Sequence, residues 1–238
     1  MSKDLSGRTS LASKTGLAGK TLGIIHAAVF TAVSLEPIAK EVMPEVSIMH
    51  AGDDTVQRDN LAAPVGTIPK VNFYKFATFA RFFEDAGIDL IVLACSTFNQ
   101  AVEFAGPMIR VPMLQIDRPM MEKAVAAGKR IGLIGTLAST MPSSERLLRQ
   151  CADEVGKKIE VIPVLNGEAF KVLRAGNPAG HNAMVLEDIK QLSGKVDCIV
   201  LAQASMAVLE KETANNPVPV YTSPRLAFQR ARTMLEAM

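Results

Sequence analysis

The sequence is poor in cysteine, in net charge and in long apolar runs, and each shortage removes a class of protein. Its 3 cysteines, Cys95, Cys151 and Cys198, are odd in number and too widely spaced for a disulfide framework or a C-x-x-C metal site. Reduced thiols and a cytoplasmic location are the expectation. With 26 Lys and Arg against 24 Asp and Glu, the formal charge is +2. No run of one sign offers a patch to a polyanion, so nucleic acid is not an expected partner. The apolar runs, such as Leu90 to Cys95 and Cys198 to Ala202, are five or six residues long, against the roughly 20 a membrane helix needs, which argues against a membrane partner. No two of the 3 histidines share helical spacing, and neither G-x-G-x-x-G nor G-x-x-x-x-G-K-[ST] occurs. Neither a metal site nor a nucleotide cofactor is implied.

What is present is an ordinary globular composition, 48% hydrophobic and 21% charged over 238 residues, enough for one large domain or two small ones. Residues 1–19 are rich in Ser, Gly and Lys and lack an apolar signal core, which reads as a flexible tail before the fold begins near Lys20. From there strands and helices alternate. "KTLGIIHAAV" reads as a strand and "VSLEPIAKEVM" as a helix that tolerates Pro37 only in its first turn. "EVSIMH" is a second strand, and "VNFYKFATFARFFEDAG" aligns Phe73, Phe76, Phe79 or Ala80, and Phe83 on one helical face, closed by Gly87. The strand "IDLIVLAC", a helix from about Phe98 to Ala105, the strand "RVPMLQI" and a helix from about Pro119 to Ala127 follow. The pattern continues through "RIGLIGT", "SSERLLRQCADEV", "IEVIPVL", "NAMVLEDIKQL", "VDCIVLA", "SMAVLEKET", "VPVYTS" and "PRLAFQRARTMLEAM". Such alternation implies an α/β fold of parallel sheets with crossover helices on their faces.

The two halves also match each other. "KTLGIIHAAVFT" aligns with "KRIGLIGTLAST" at an offset of 109, pairing Lys20 with Lys129, Gly23 with Gly132 and Thr31 with Thr140. "DLIVLACST" aligns with "DCIVLAQAS" at 108, and Val111-Pro112 with Val218-Pro219 at 107. Three matches in one order at nearly one offset imply an internal duplication of about 108 residues. The expected organisation is a first four-stranded lobe over 20–116, joined by a C-terminal helix over 224–238, and a second similar lobe over 117–223, related by a pseudo-two-fold axis. Ligands of open α/β sheets sit beyond the carboxyl ends of the strands, so one cleft would be walled by both copies of each strand end. Cys95 and Gln203 would face each other there, as would Thr31 and Thr140, His26 and Gly135, and Ala27 and Thr136.

A thiol between a strand end and a helix N-terminus is stabilised as thiolate by free N–H groups and the helix dipole. Cys95 has that position, and the adjacent Ser96 and Thr97 hydroxyls could help hold a carboxylate. The competing reading is a small buried residue followed by a helix cap. His26 ends the first strand and is a candidate substrate contact; His50 is similarly placed, ahead of Asp53 and Asp54, which read as turn or cap residues. His181 reads as the start of a helix, Cys151 as a buried helical residue and Cys198 as strand interior. Arg225, Arg230 and Arg232 read as a solvated face.

The duplicated plan, with "VLACST" in the first copy, "GLIGTLAST" opening the second and "IVLAQASMA" near its end, resembles the aspartate/glutamate/hydantoin racemase superfamily over about residues 20–238. The resemblance implies a cofactor-independent enzyme in which two cysteines, one per lobe, flank the carbon beside a substrate carboxylate. It implies a small carboxylate or amino-acid-like substrate and a homo-oligomer. The first motif maps onto Cys95, Ser96 and Thr97. The second maps onto Ala202, Gln203, Ala204, Ser205 and Met206, so its cysteine is replaced by Gln203. Thr136, Ser139 and Thr140 fit the Thr-rich turn that helps hold the carboxylate. An amide has no useful base near pH 7. Gln203 could therefore bind a ligand but not exchange a proton with carbon, which leaves one-thiol proton transfer, decarboxylase- or isomerase-type chemistry, or binding alone.

Overall fold

The computed structural model describes residues 16–238. Most of the tail assigned to residues 1–19 therefore lies outside the described residues, while Leu17 is buried against the first core. The first lobe contains β1 (Thr21–His26), α1 (Thr31–Val42), β2 (Ser47–Gly52), α2 (Asp54–Ala62), α3 (Lys70–Asp85), β3 (Leu90–Leu93), α4 (Ala101–Ala105) and β4 (Met113–Gln115). The second contains α5 (Arg118–Ala127), β5 (Arg130–Gly135), α6 (Met141–Glu154), β6 (Glu160–Leu165), α7 (Gly167–Arg174), α8 (Pro178–Ser193), β7 (Cys198–Leu201), α9 (Glu210–Thr213) and β8 (Val220–Tyr221). The chain ends in α10 (Ser223–Glu236). Among the described residues no helix is long and apolar enough to cross a membrane.

Both sheets have four strands, all parallel, in the orders β2-β1-β3-β4 and β6-β5-β7-β8. Register repeats as well: Leu22 pairs with Leu90 in one sheet and Ile131 with Cys198 in the other, at the offsets of the sequence repeat. This is the arrangement an internal duplication about a pseudo-two-fold requires. A parallel sheet covered on both faces needs strands apolar on both faces, and every residue of "LIVL" in β3 and "CIVL" in β7 is buried. Alternate residues feed separate cores. Leu22, Ile24, Leu90 and Val92 pack with α1 and α10, whereas Ile25, Ile91 and Leu93 pack with Phe76, Ala80 and Phe83 of α3. In the second lobe Leu133 and Val200 pack with α5 and α6, and Ile134, Ile199 and Leu201 with α8.

Equivalent residues do equivalent work in each lobe. The Asp89 carboxylate accepts from the Thr21 N–H at 2.8 Å, and its mate Asp197 accepts from Lys129 and Arg130 N–H at 2.7 and 2.8 Å, pinning the first central strand of each sheet to the second. Gly23 lies under the Phe83 ring and Gly132 under Leu192, so a Cβ at either position would collide with a helix side chain and force helix and sheet apart. The C-terminal helix α10 contributes Ala227, Phe228, Ala231 and Leu235 to the first-lobe core, and Arg230 reaches Glu122 of α5 at 2.6 Å.

Several local expectations change. Helix α1 starts at Thr31, so Pro37 lies in its second turn rather than its first. The helix expected from Phe98 begins only at Ala101 and continues as a short 3-10 turn to Met108. The strand over "RVPMLQI" narrows to β4. Two further helices, α2 and α7, which the sequence reading did not assign, follow the edge strands β2 and β6. Asp53 caps α2, accepting from the Thr55 N–H, and Asn166 caps α7, accepting from the Ala169 N–H.

Candidate active site

The central strands of both sheets end at one cleft, and a cavity of about 180 Å³ lies between them. The first lobe supplies Cys95, Ser96 and Thr97 to its wall, and the second supplies Ser139, Thr140, Gln203, Ala204 and Ser205. The lobes touch at its floor, where the Thr97 and Thr140 hydroxyls are 2.7 Å apart. Thr140 thus meets Thr97 rather than its sequence mate Thr31, although Thr31 also lines the cavity. Among the described residues no Asp, Glu, Lys, Arg or His lines this inner pocket. A bound carboxylate would be held by neutral donors.

Cys95 follows β3 by two residues and is part-exposed to the cleft. The thiolate expected from a helix N-terminus is not what this environment favours. Burial in a low-polarity wall pushes the thiol up to about 12; the Phe98 N–H pulls it down, the Asp117 carboxylate pushes it further up, and the Thr97 N–H pulls it down. The physical reason lies in the helix position: α4 begins six residues after Cys95 and is five residues long, so its dipole contributes little at the sulfur. Both N–H groups favour a thiolate once formed, although the Phe98 N–H donates to the Cys95 carbonyl at 3.3 Å. Among the described residues Cys95 is the only ionisable group on the inner wall. Cys151 and Cys198 are buried in α6 and β7, as their patterns implied.

Behind Cys95 lies a carboxylate that the sequence reading missed. Asp117 follows β4 and is fully buried. Burial pushes it up to about 6, with the Ser96 and Ser223 hydroxyls opposing that rise.

Gln203 occupies the position opposite Cys95 and is fixed by its amide oxygen. Oε1 accepts from the Thr136 N–H at 2.6 Å, the Thr136 hydroxyl at 3.1 Å and the Leu137 N–H at 3.3 Å. These are the N–H groups of the turn after β5, a nest well formed to hold an anion. Thr136 accordingly faces Gln203 and is not on the cavity wall. With Oε1 anchored, Nε2 makes no hydrogen bond within the described protein and is the donor left for a ligand. Ser139 Oγ and Asn60 Nδ2, both buried at this wall, also lack partners.

His26 does not reach the inner pocket. It is 2% exposed, its Nδ1 bonded to the Thr31 hydroxyl at 2.7 Å and its Nε2 to His50 Nδ1 at 2.9 Å. Thr31 donates to the Ala28 carbonyl, so it accepts from His26 Nδ1–H, which makes Nε2 the acceptor from His50. Burial and then the neighbouring His50 push His26 down to about 4. It is a neutral strut that orients Thr31. Arg225, Arg230 and Arg232 pair with surface carboxylates, Arg225 with Glu41 at 2.9 Å, and stay out of the cleft.

The outer wall comes from the two unexpected helices. Gln57, Asn60 and Leu61 of α2 face Phe170 and Leu173 of α7. Their caps, Asp53 and Asn166, are 113 residues apart, and the same offset relates Gln57 to Phe170 and Asn60 to Leu173. The mouth of the cleft is therefore duplicated too. Paired N-cap residues after equivalent edge strands were the available signal.

The sequence matches the Asp/Glu/Hydantoin racemase family over residues 57–231. It is 27% identical over 182 residues to glutamate racemase of Aquifex aeolicus, covering 74% of this chain and 67% of the relative. To glutamate racemase of Aquifex pyrophilus it is 28% identical over 173 residues, covering 71% of this chain and 64% of that protein, so the match spans about two thirds of each relative. The fold is similar to a putative Asp/Glu racemase from Yersinia pestis, with a TM-score of 0.69 at 19% identity, covering 91% and 99% of the two chains.

Proposed function

The chain belongs to the Asp/Glu/hydantoin racemase family, and from that premise we propose that it is a cofactor-independent enzyme in which Cys95 transfers one proton at the carbon beside the carboxylate of a small acid. The observation that carries this reading is that Cys95 is the only ionisable side chain on the inner wall among the described residues, and it faces an amide rather than a second thiol. A thiol held near 12 is a proton donor at neutral pH, not a resting base. It protonates a carbanion or enolate: the electron pair on carbon takes the proton, the S–H bond breaks, and the thiolate is held by the Thr97 and Phe98 N–H groups until water restores its proton. Loss of CO2 from a doubly carboxylated carbon forms such a carbanion without a base. Symmetric racemisation is disfavoured because Gln203 cannot serve as the opposite base. A carboxylic acid without an ammonium group suits the pocket better than an amino acid, since no carboxylate lines the wall to pair with one. The substrate carboxylate is assigned to Gln203 Nε2, Ser139, Thr97 and Thr140.

The test is NMR of 2-substituted acids and 2-substituted malonic acids incubated with the protein in D2O. With the malonic acids, CO2 release that leaves one deuterium at carbon 2 of the product should occur with the wild type and be lost in Cys95→Ala, while the plain 2-substituted acids, which would need a base, should bind without exchanging. Equal turnover by Cys95→Ala would refute the role of the thiol. A second reading, an acid-binding protein without turnover, has one observation in its favour: the Gln203 oxygen already fills the anion nest of the second lobe. That reading predicts acid binding unchanged by Cys95→Ala and no deuterium uptake by either protein.

A further inference from the structure

The inner pocket opens outward into a larger hollow of about 770 Å³, and six residues, Phe30, Gln57, Leu61, Phe170, Leu173 and Ser205, line both. Val33, Val208, Pro178 and His181 line only the outer hollow. Phe30, Val33 and Val208 stand 67, 81 and 62% exposed, an apolar outlay unusual for a surface not meant to be covered. Ser34, Gln57, Arg174, Asn182 and Ser205 also line the hollow, and one further polar group there is buried with an atom left unpaired. His181 is 3% exposed, its Nδ1 is bonded to Asn182 Oδ1 at 2.9 Å, and its Nε2 is buried without a partner. Because an amide oxygen only accepts, Nδ1 carries the hydrogen, and in the neutral ring Nε2 presents a lone pair. A buried acceptor left unpaired is costly, and a ligand that donates to it removes the cost.

Resting on the reading that the inner pocket holds a carboxylate, we propose that the outer hollow is a second subsite: it takes a bulky apolar substituent of the same acid, ending in an N–H or O–H group that donates to His181 Nε2. The substrate class is then a carboxylic acid with a long aryl or alkyl arm and a terminal hydroxyl or amide. Continuity of the two cavities fixes the direction of the arm, and the single buried acceptor fixes the chemistry of its tip. The arm also covers the exposed side chains of the rim.

Calorimetry with a graded series tests this: propionate, 4-phenylbutyrate, and 4-phenylbutyrates carrying a para hydroxymethyl, carboxamide or carboxylate. Affinity should rise by up to about fourfold per added buried methylene, and the hydroxymethyl or carboxamide tip should add roughly fivefold. In Val33→Asp/Val208→Asp, both on exposed positions, the gain from the arm should vanish while propionate binds as before. His181→Gln should lose only the gain from the tip. Short and long acids binding alike would overturn the subsite and leave the carboxylate pocket standing. Arms that bind equally well as neutral alcohols would instead refute the carboxylate reading and leave the apolar hollow. Preference for the carboxylate tip, lost on Arg174→Gln, would overturn the donor chemistry. Concentration-dependent dimerisation abolished by Val33→Asp/Val208→Asp would mean that a second copy covers the hollow, and would overturn the proposal.

Discussion

Replacing Asp117 by Asn should stabilise the protein at neutral pH, the opposite of what loss of a buried polar contact usually does. The side chain is fully buried and the Ser96 and Ser223 hydroxyls offset only part of the cost of ionising it, a cost that the isosteric amide does not incur. Its folded value of about 6 stands above the roughly 3.9 of an unfolded Asp. Between those values the native state holds a proton that the unfolded chain has released. Stability is then fully present below about 3.9 and falls as pH rises through 6, with the slope set by one proton. The total is about 3 kcal/mol, from a difference of about two in pKa at 1.36 kcal/mol each. His26 works in the reverse sense. Its folded value of about 4 lies below the roughly 6.5 of a free histidine, so its contribution is present above 6.5 and lost as pH falls through 4. The wild-type curve is thus flattened between pH 4 and 6, and the difference between wild type and Asp117→Asn isolates the carboxylate. Urea unfolding at half-unit steps from pH 4 to 8 should give curves that diverge by up to about 3 kcal/mol above pH 6. Parallel curves, or a variant less stable at pH 7.5, would refute the argument.

Cys95 should alkylate slowly: a thiol near 12 is thiolate at only about one part in 10⁴ to 10⁵ at pH 7.5, so iodoacetamide should modify it far more slowly than a free cysteine, and a rate matching free cysteine would sink the assignment. Asp117→Asn should speed that reaction about tenfold at pH 8, because a buried negative charge behind the sulfur is removed; an unchanged rate would show that the carboxylate does not reach the thiol. Gln203→Glu should keep the contacts to Thr136 and Leu137 yet put a negative charge where an acid binds. At separations of about 4 to 8 Å and an effective dielectric near 20, the repulsion is roughly 2 to 4 kcal/mol, a 30- to 1,000-fold loss of acid affinity, and calorimetry showing unaltered affinity would remove Gln203 from the ligand contacts. His26→Asn should loosen Thr31 and lower stability at pH 7.5 by about 1 to 3 kcal/mol through lost buried hydrogen bonds; denaturation midpoints within error of wild type would refute its role as a strut.

The double-lobed scaffold was legible because its determinants are local. Four-residue apolar runs, the Gly at the close approach of each helix and the Asp at each strand start recur at nearly one offset, and each is a property of residue type. The strand-end residues around Cys95, Thr140 and Gln203 followed from topology, since parallel strands in matching orders must end at one face. The mouth was hidden for a different reason. "DTVQRDNLA" buries only Val56 and Asn60 and has little apolar period, whereas "GEAFKVLR" does carry an apolar face at helical spacing but is only 8 residues long, about two turns, and lies between longer elements. His26 was misjudged because its neighbour His50 lies on another strand, placed beside it by the β1–β2 register. The state of Cys95 was out of reach for a like reason. Burial between the lobes raises it most, the carboxylate that adds to this is 22 residues away, after the next strand, and the helix expected to lower it starts later than its sequence suggests.

Duplication gives two walls that are alike in backbone, and the difference between them lies in how each wall's free N–H groups are used. In the first lobe the Thr97 and Phe98 N–H groups lower the Cys95 thiol, opposing its burial. In the second, the Thr136 and Leu137 N–H groups are closed by the Gln203 oxygen, a group that cannot leave its chain. Thiolate stabilisation is therefore available on one side only, while the other side presents a fixed amide donor. On the proposed reading this asymmetry suits a substrate whose carboxylate rests against the second wall and whose carbon receives its proton from the first. It also explains why one change, Gln203→Cys, should not by itself rebuild a symmetric site. The new thiol would free the N–H groups of the turn after β5, but it would not share the first thiol's surroundings, since Asp117 has no acidic mate: at the local offset of 107 the equivalent position is Pro224, in α10. The two thiols would then ionise under unlike fields, with the first still held high by its burial and, further, by the carboxylate behind it. The bond between function and asymmetry thus runs through Asp117 as much as through Gln203.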